Sequence, residues 1–208
     1  DYVVMDRIYF HSETTTNCQR GIRVNAQHFA CVDSYIYARS VQNETQAIAG
    51  WANPGPTEIR NCTLLGSGEN FMWGSVDSAS AALSNADLHV KRCYFYAPPE
   101  WVGTTARKNI FELKTCNRAL IEECIFERSW AAAQTGFAIL LTPRNTSGTQ
   151  TWGAVKDVKF LNCKVFKACG GLTLSNAATN NLGPLDEGLL RVLFQNVLFE
   201  DLGGTHSS

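Results

Sequence analysis

Ile59-Arg-Asn-Cys62-Thr-Leu64, Val90-Lys-Arg-Cys93-Tyr-Phe95, Ile121-Glu-Glu-Cys124-Ile-Phe126 and Phe160-Leu-Asn-Cys163-Lys-Val165 repeat one pattern. In each, a cysteine stands third after a large apolar residue and second before another. Three further segments fit with a different centre: Val3 to Ile8 around Asp6, Cys31 to Ile36 around Ser34, and Leu193 to Leu198 around Asn196. The centres 6, 34, 62, 93, 124, 163 and 196 are separated by 28, 28, 31, 31, 39 and 33 residues. Periods of this length are those of a solenoid.

The pattern within each repeat selects the kind of solenoid. β-Branched and aromatic residues at alternating sites read as short strands, and no 3.6-residue period extends over ten positions, which argues against helical repeats. Leucines are too few at fixed offsets for a leucine-rich repeat. Each repeat carries a second apolar strand: 22–25, 46–51, 70–73, 109–114, 137–141 and 172–175. Two or three strands per coil of about 30 residues predict an all-β, right-handed parallel β-helix of about seven coils, on the order of 30 Å long. Residues 1–208 are expected to form a single parallel β-helix domain, with a fragment of a longer rod as the alternative. The unusually polar, turn-rich stretches 142–152 and 176–188 are expected to be loops that shape a binding face.

In such a rod like residues stack on like. The centres predict a structural ladder of Asp6, Ser34, Cys62, Cys93, Cys124, Cys163 and Asn196, with the thiols acting as small buried apolar groups. Four of the eight cysteines therefore leave the disulfide framework that such a count would otherwise suggest. Cys31, three before Ser34, is also expected in the core, and any disulfide is expected among Cys18, Cys116 and Cys169.

Eighteen basic and 19 acidic residues give a formal charge of -1, which offers no electrostatic case for nucleic acid. No apolar run approaches the roughly 20 residues of a membrane span. His11, His28, His89 and His206 are scattered without metal spacing, so neither a metal nor a cofactor is expected, and His89 is expected to face solvent. Asn43, Asn61 and Asn145 each begin a sequon.

Gly68-Glu-Asn-Phe-Met-Trp-Gly74, Tyr94-Phe-Tyr-Ala-Pro98 with Trp101, Lys108-Asn-Ile-Phe-Glu-Leu-Lys114, and Trp130 followed by Gln134-Thr-Gly-Phe-Ala-Ile-Leu-Leu141 resemble a family of secreted bacterial right-handed β-helix proteins. The resemblance spans most of the chain and implies a pectate-lyase-like superfold, an extracellular location and, by analogy, contact with carbohydrate. The chain departs from that family between Trp130 and Gly136, where Ala131, Ala132, Ala133 and Thr135 replace acidic residues.

Alternation places Phe111 and Leu113 inward and Glu112 and Lys114 outward on the second strand. Glu112 and Lys114 are the candidate catalytic pair, and Glu69, Asn70, Trp73, Gln134 and Arg144 the candidate substrate-binding residues. A carboxylate and an amine beside an arginine suit β-elimination of a uronic acid polymer, and a carboxylate pair suits glycoside hydrolysis. The bland alternative is a solvated ion pair on an exposed sheet. Trp51, Trp73, Trp101, Trp130 and Trp152 are candidate sugar platforms. The expected partner is a polysaccharide, bound or processed by a lyase or hydrolase. The alternative is a non-enzymatic rod that stacks into homo-oligomers through open strand edges at its two ends.

Overall fold

The computed structural model describes residues 2–14, 18–42, 44–74, 76–176 and 182–203. Three parallel sheets run the length of the described chain. Sheet A is β1 (Tyr2–Asp6), β4 (His28–Val32), β7 (Thr57–Arg60), β10 (Ala86–Lys91), β13 (Cys116–Glu122), β16 (Ala154–Leu161) and β19 (Gly188–Gln195). Sheet B is β2 (Tyr9–Thr14), β5 (Tyr35–Ser40), β8 (Thr63–Gly66), β11 (Tyr94–Tyr96), β14 (Ile125–Ser129), β17 (Lys164–Ala168) and β20 (Leu198–Leu202). Sheet C is β3 (Arg20–Val24), β6 (Gln46–Gly50), β9 (Glu69–Trp73), β12 (Phe111–Leu113), β15 (Phe137–Leu141) and β18 (Gly170–Leu174). The chain visits A, B and C in turn, and each strand pairs with its equivalent one coil on, which is a parallel β-helix of about seven coils.

The six-residue repeat is a corner, not a strand. In the third coil β7 ends at Arg60 and β8 begins at Thr63. Between them Asn61 takes a left-handed φ of 53°, as do Arg7, Asp33, Arg92, Glu123, Asn162 and Asn196 at the equivalent corners. Such a residue costs about 1 kcal/mol, least for Asn and Asp, and it turns the chain sharply enough for the next residue to point inward. Stacked corner residues meet: Asn61 Nδ2 donates to Asp33 Oδ1 at 2.7 Å and Asn196 Nδ2 to Asn162 Oδ1 at 2.8 Å.

The inward slot after each corner holds Ser34, Cys62, Cys93, Cys124 and Cys163, but its two ends differ from expectation. Asp6 pairs with Val32 and Gln195 with Leu161, so Ile8 and Val197 occupy the slot. Asp6 instead lies exposed at the end of β1, ion-paired to Arg7, and Asn196 is itself the exposed corner residue. The polar ladder thus runs along the outside of the corner and the thiol ladder along the inside.

The thiols are more than filler. Each donates back across its own turn, Cys62 Sγ to Arg60 O at 3.3 Å, Cys93 to Lys91 O at 3.4 Å, Cys124 to Glu122 O at 3.2 Å and Cys163 to Leu161 O at 3.3 Å. Ser34 Oγ does the same to Val32 O at 2.6 Å. Each of these carbonyls already accepts the N–H of a neighbouring coil's corner residue, as Arg60 O does from Asp33 N at 3.0 Å, so the small side chain fills the second lone pair and ties the slot to the corner. All eight cysteines are free thiols, and Cys31 and Cys116 are fully buried in the core.

Inside the helix, rings stack at the coil repeat: Phe71 on Phe111 at 4.9 Å, Phe95 on Phe126 at 4.8 Å, and Phe160 on Phe194 at 4.8 Å. These separations match the roughly 4.8 Å between hydrogen-bonded strands, so backbone pairing and core stacking reinforce each other. Trp73, Trp101 and Trp130 are also buried and serve packing, while Trp51 and Trp152 are half-buried. Among the described residues no helix is long and apolar enough to cross a membrane.

Two outcomes follow for stability. Asn162→Val should cost about 1–2 kcal/mol in chemical unfolding while Asn162→Gly costs far less, because only the β-branched side chain resists φ near 54°. Cys93→Ser should be tolerated within about 1.5 kcal/mol because it keeps the donor, whereas Cys93→Leu should cost about 1–3 kcal/mol by overpacking. Equal losses for Ser and Leu would show that the slot selects by volume alone.

Candidate functional site

Sheet C carries the candidate site on its outer face. Its register aligns Arg20, Gln46, Glu69 and the position of Asn109 across four successive coils, and Met72 beside Glu112 one step on. Over this surface lies a pocket of about 380 Å³ lined by Gln19, Arg20, Gln42, Glu44, Gln46, Met72, Ala106, Lys108 and Lys114. One wall is the segment before β6. Gly68 lets that segment come close, since a Cβ there would lie 2.6 Å from Glu44 Cα. The opposite wall is the long connection 97–110 between β11 and β12, which returns to sheet C where Lys108 N donates to Gly68 O at 3.0 Å.

Two carboxyl groups lie beneath the pocket. Glu69 and Glu112 are both buried, at 0% and 1% exposure, and their carboxyls meet at the Asn109 amide. Gln46 Nε2 donates to Glu69 Oε2 at 2.6 Å, and Asn109 Nδ2 lies 3.3 Å from Glu112 Oε2 and 3.5 Å from Glu69 Oε1. Lys114 Nζ sits 3.3 Å from Glu112 Oε2 and 3.3 Å from Met72 Sδ. Lys108 Nζ pairs with Glu44 at 2.6 Å and stands 3.9 Å from Glu69 Oε1.

Burial, and then the adjacent Glu112 charge, raises the Glu69 carboxyl to about 7 against the pull of Lys114 and Lys108. Burial opposes ionisation of Glu112 as well, but Lys114, the Glu69 hydroxyl, Lys108 and Asn109 together hold it below the usual carboxylate range. Glu69 therefore gains or loses its proton around neutral pH while Glu112 stays ionised, and the titration belongs to both residues.

The sequence-predicted residues divide. Glu69, Glu112 and Lys114 come together as expected, but the outward Glu112 is sealed beneath Lys114 and does not line the pocket. Asn70 faces away: its Nδ2 donates to Leu64 O and Tyr96 O at 2.6 and 2.7 Å, and its Oδ1 accepts from the buried Arg107 at 2.8 Å. Burial lowers the Arg107 guanidinium to about 9, and the Glu69 charge opposes that shift. Trp73 is fully buried against Phe71 at 4.7 Å and is a core residue. Gln134 is exposed and does not line the pocket. Arg144 joins the site only through its backbone, donating to Lys114 O at 3.0 Å.

The 142–152 loop does not wall the pocket either. It turns toward the connection before β10, where Gln150 Oε1 accepts from Ser78 N at 2.6 Å and Trp152 Nε1 donates to Ser78 Oγ at 3.2 Å. Asn145 is buried there, donating to Pro184 O at 2.8 Å and accepting from Gln150 N at 2.9 Å, so its sequon is closed to a glycan in the folded chain. Asn61 is exposed. Asn43, His206 and part of the 176–188 stretch lie outside the described residues. His89 is half-exposed and bonds Glu122 at 2.9 Å. Among the described residues no group of three or more His, Cys, Asp or Glu is placed to hold a metal ion.

Sequence reasoning missed Arg20, Gln42, Glu44, Gln46 and Lys108 as pocket residues. Lys108 was visible only as part of a resemblance, and the turn signal Pro98-Pro99 with Gly103 marked the connection that carries it. No family model matches the chain, and no curated protein or solved structure matches it.

A carboxyl group raised on folding favours the native state at low pH and loses that contribution as pH rises through its folded value. Glu69 should therefore make the protein progressively less stable from about pH 4.5 to about pH 7, by a few kcal/mol in total. Glu69→Gln should flatten that part of a thermal-unfolding profile, and an unchanged slope would place the titration elsewhere.

Proposed function

We propose that this parallel β-helix acts outside the cell as a polysaccharide-binding protein, with the pocket on sheet C holding an acidic sugar residue. The observation that carries this reading is the convergence of Arg20, Lys108 and Lys114 with the amides of Gln19, Gln42 and Gln46 on one open recess. Its volume falls within the roughly 300–1,000 Å³ of small-ligand sites. Gln46 supplies a second indication: its Nε2 is held by Glu69 at 2.6 Å, and its buried Oε1 has no hydrogen-bond partner among the described residues. Trp51 flanks Arg20, whose guanidinium lies 5.2 Å from the indole centroid, and extends the cationic surface with an aromatic ring.

The geometry favours binding over turnover. Glu112, the candidate base, is covered, and Glu44, the carboxylate that lines the recess, is held by Lys108. A panel of acidic and neutral polysaccharides tests the reading, assayed for retention and for unsaturated products and new reducing ends. Retention of an acidic polymer without product is expected. Lys114→Ala should weaken it about ten- to a hundredfold, the loss of one charge-assisted contact of about 1.5–3 kcal/mol. Failure to retain any member of the panel would defeat the proposal.

A structural rod is the second reading, favoured by apolar side chains exposed on the edge strands. Tyr2 is 82% and Tyr9 73% exposed at one edge, and Leu198 is 51% exposed at the other. Stacking of copies through these edges should appear as concentration-dependent sedimentation, and a strict monomer at high concentration would remove it.

A further inference from the structure

We propose that Glu69 and Glu112 act as a proton switch beneath the pocket, so that an anionic ligand binds together with a proton. This rests on the reading of the pocket as a site for an acidic sugar and concerns how that site is regulated.

The charges that face the pair are few. Arg20 reaches it from β3, Glu44 stands just before β6, and Arg107, Lys108 and Lys114 flank the strand that carries Glu112. Gln46 and Asn109 contact the carboxyls as neutral amides. None of the described histidines lines the pocket. The four cations Arg20, Arg107, Lys108 and Lys114 oppose Glu44 and the single negative charge of the singly protonated pair, leaving two excess positive charges around the recess. Loss of the proton halves that excess.

Both carboxyls are shielded from solvent, so the added charge is poorly screened and acts directly on Lys108 and Lys114. A second negative charge draws both ammonium groups toward the floor and away from a ligand. Conversely, a ligand carboxylate seated above the lysines makes ionisation of the pair harder and draws a proton in. The coupling is reciprocal: whatever protonation does for ligand affinity, the ligand does for proton affinity. The value of about 7 for Glu69 puts the exchange in the neutral range.

Two measurements test this on the intact chain. Carbon-13 NMR of the glutamate carboxyls in the free protein should show one buried carboxyl titrating near neutrality. Two carboxyls that both finish titrating below pH 5 would overturn the switch whether or not any glycan binds. Calorimetry with an oligogalacturonate, in buffers of differing ionisation enthalpy, should show net proton uptake at pH 7 to 7.5 and affinity falling about tenfold between pH 6 and pH 8. Glu69→Gln should abolish both the uptake and the pH dependence. If that variant does not fold, Glu112→Gln breaks the same pair. Binding with no proton uptake and a flat pH profile would overturn the switch and leave the acidic-sugar reading intact. Titration near neutrality with no binding of acidic glycan would defeat the acidic-sugar reading and, with it, the coupled proton uptake.

Discussion

The left-handed corner between sheets A and B is the constraint on which the molecule depends. Without it, a strand as long as β7 and β8 together would continue flat and there would be no prism to fill. The corner residue is strained by about 1 kcal/mol in each coil, and three features offset that strain. The corner residues bond to one another along the outside, the slot residue donates to the carbonyl two positions back, and the turn brings sheet B's inward residues, such as Phe95 and Phe126, against the core. The first two act within or between adjacent coils, whereas the third is shared along the whole stack.

A second left-handed stack runs through sheet A at Asp87, Arg118, Asp157 and Arg191. Here the strands bend without breaking, and charge alternates along the rod. Arg118 grips Asp87 with two bonds of 2.6 and 2.9 Å, and Arg191 grips Asp157 with the same two lengths. These pairs are exposed and screened by solvent, so they add little to stability. Their alternation also specifies register, since a slip of one coil would set like charges in contact.

The fold was legible because the corner repeats. Cysteine at four corners is a conspicuous marker, and the apolar residues around it reveal the period even though the segment is a bend and not a strand. The register failed at Asp6 and Asn196, where Ile8 and Val197 fill the slot: the outer coils lack the thiol, and a polar residue one or two positions away imitates the centre. The candidate site was legible only along sheet C. Alternation identified Glu112 and Lys114 correctly as neighbours on one face, but it describes a bare strand and so took that face for solvent. Glu112 is covered by Lys114 and by Asn109 of the 97–110 connection, which is seated on Gly68 through Lys108, and no local pattern encodes that.

The regular and irregular parts of the chain therefore answer to different requirements. Along most of the stack, side chains satisfy the coil repeat: thiols, phenyl rings and β-branched residues at matching heights. Where the 97–110 connection returns to sheet C, within a 31-residue coil, charge enters the interior. Arg107, Lys108, Glu69 and Glu112 stand together around the insertion between β11 and β12. Burying such groups costs several kcal/mol for each ion, and paired networks of this kind commonly do no better for stability than apolar packing of the same volume. A solenoid of this regularity has apolar solutions at every coil, as β13 and β16 show. The charges at sheet C are thus poorly explained by folding, and they coincide with an open polar recess, with an amide oxygen left unpartnered and with a carboxyl raised to neutrality, which is the combination expected of a site built for a ligand.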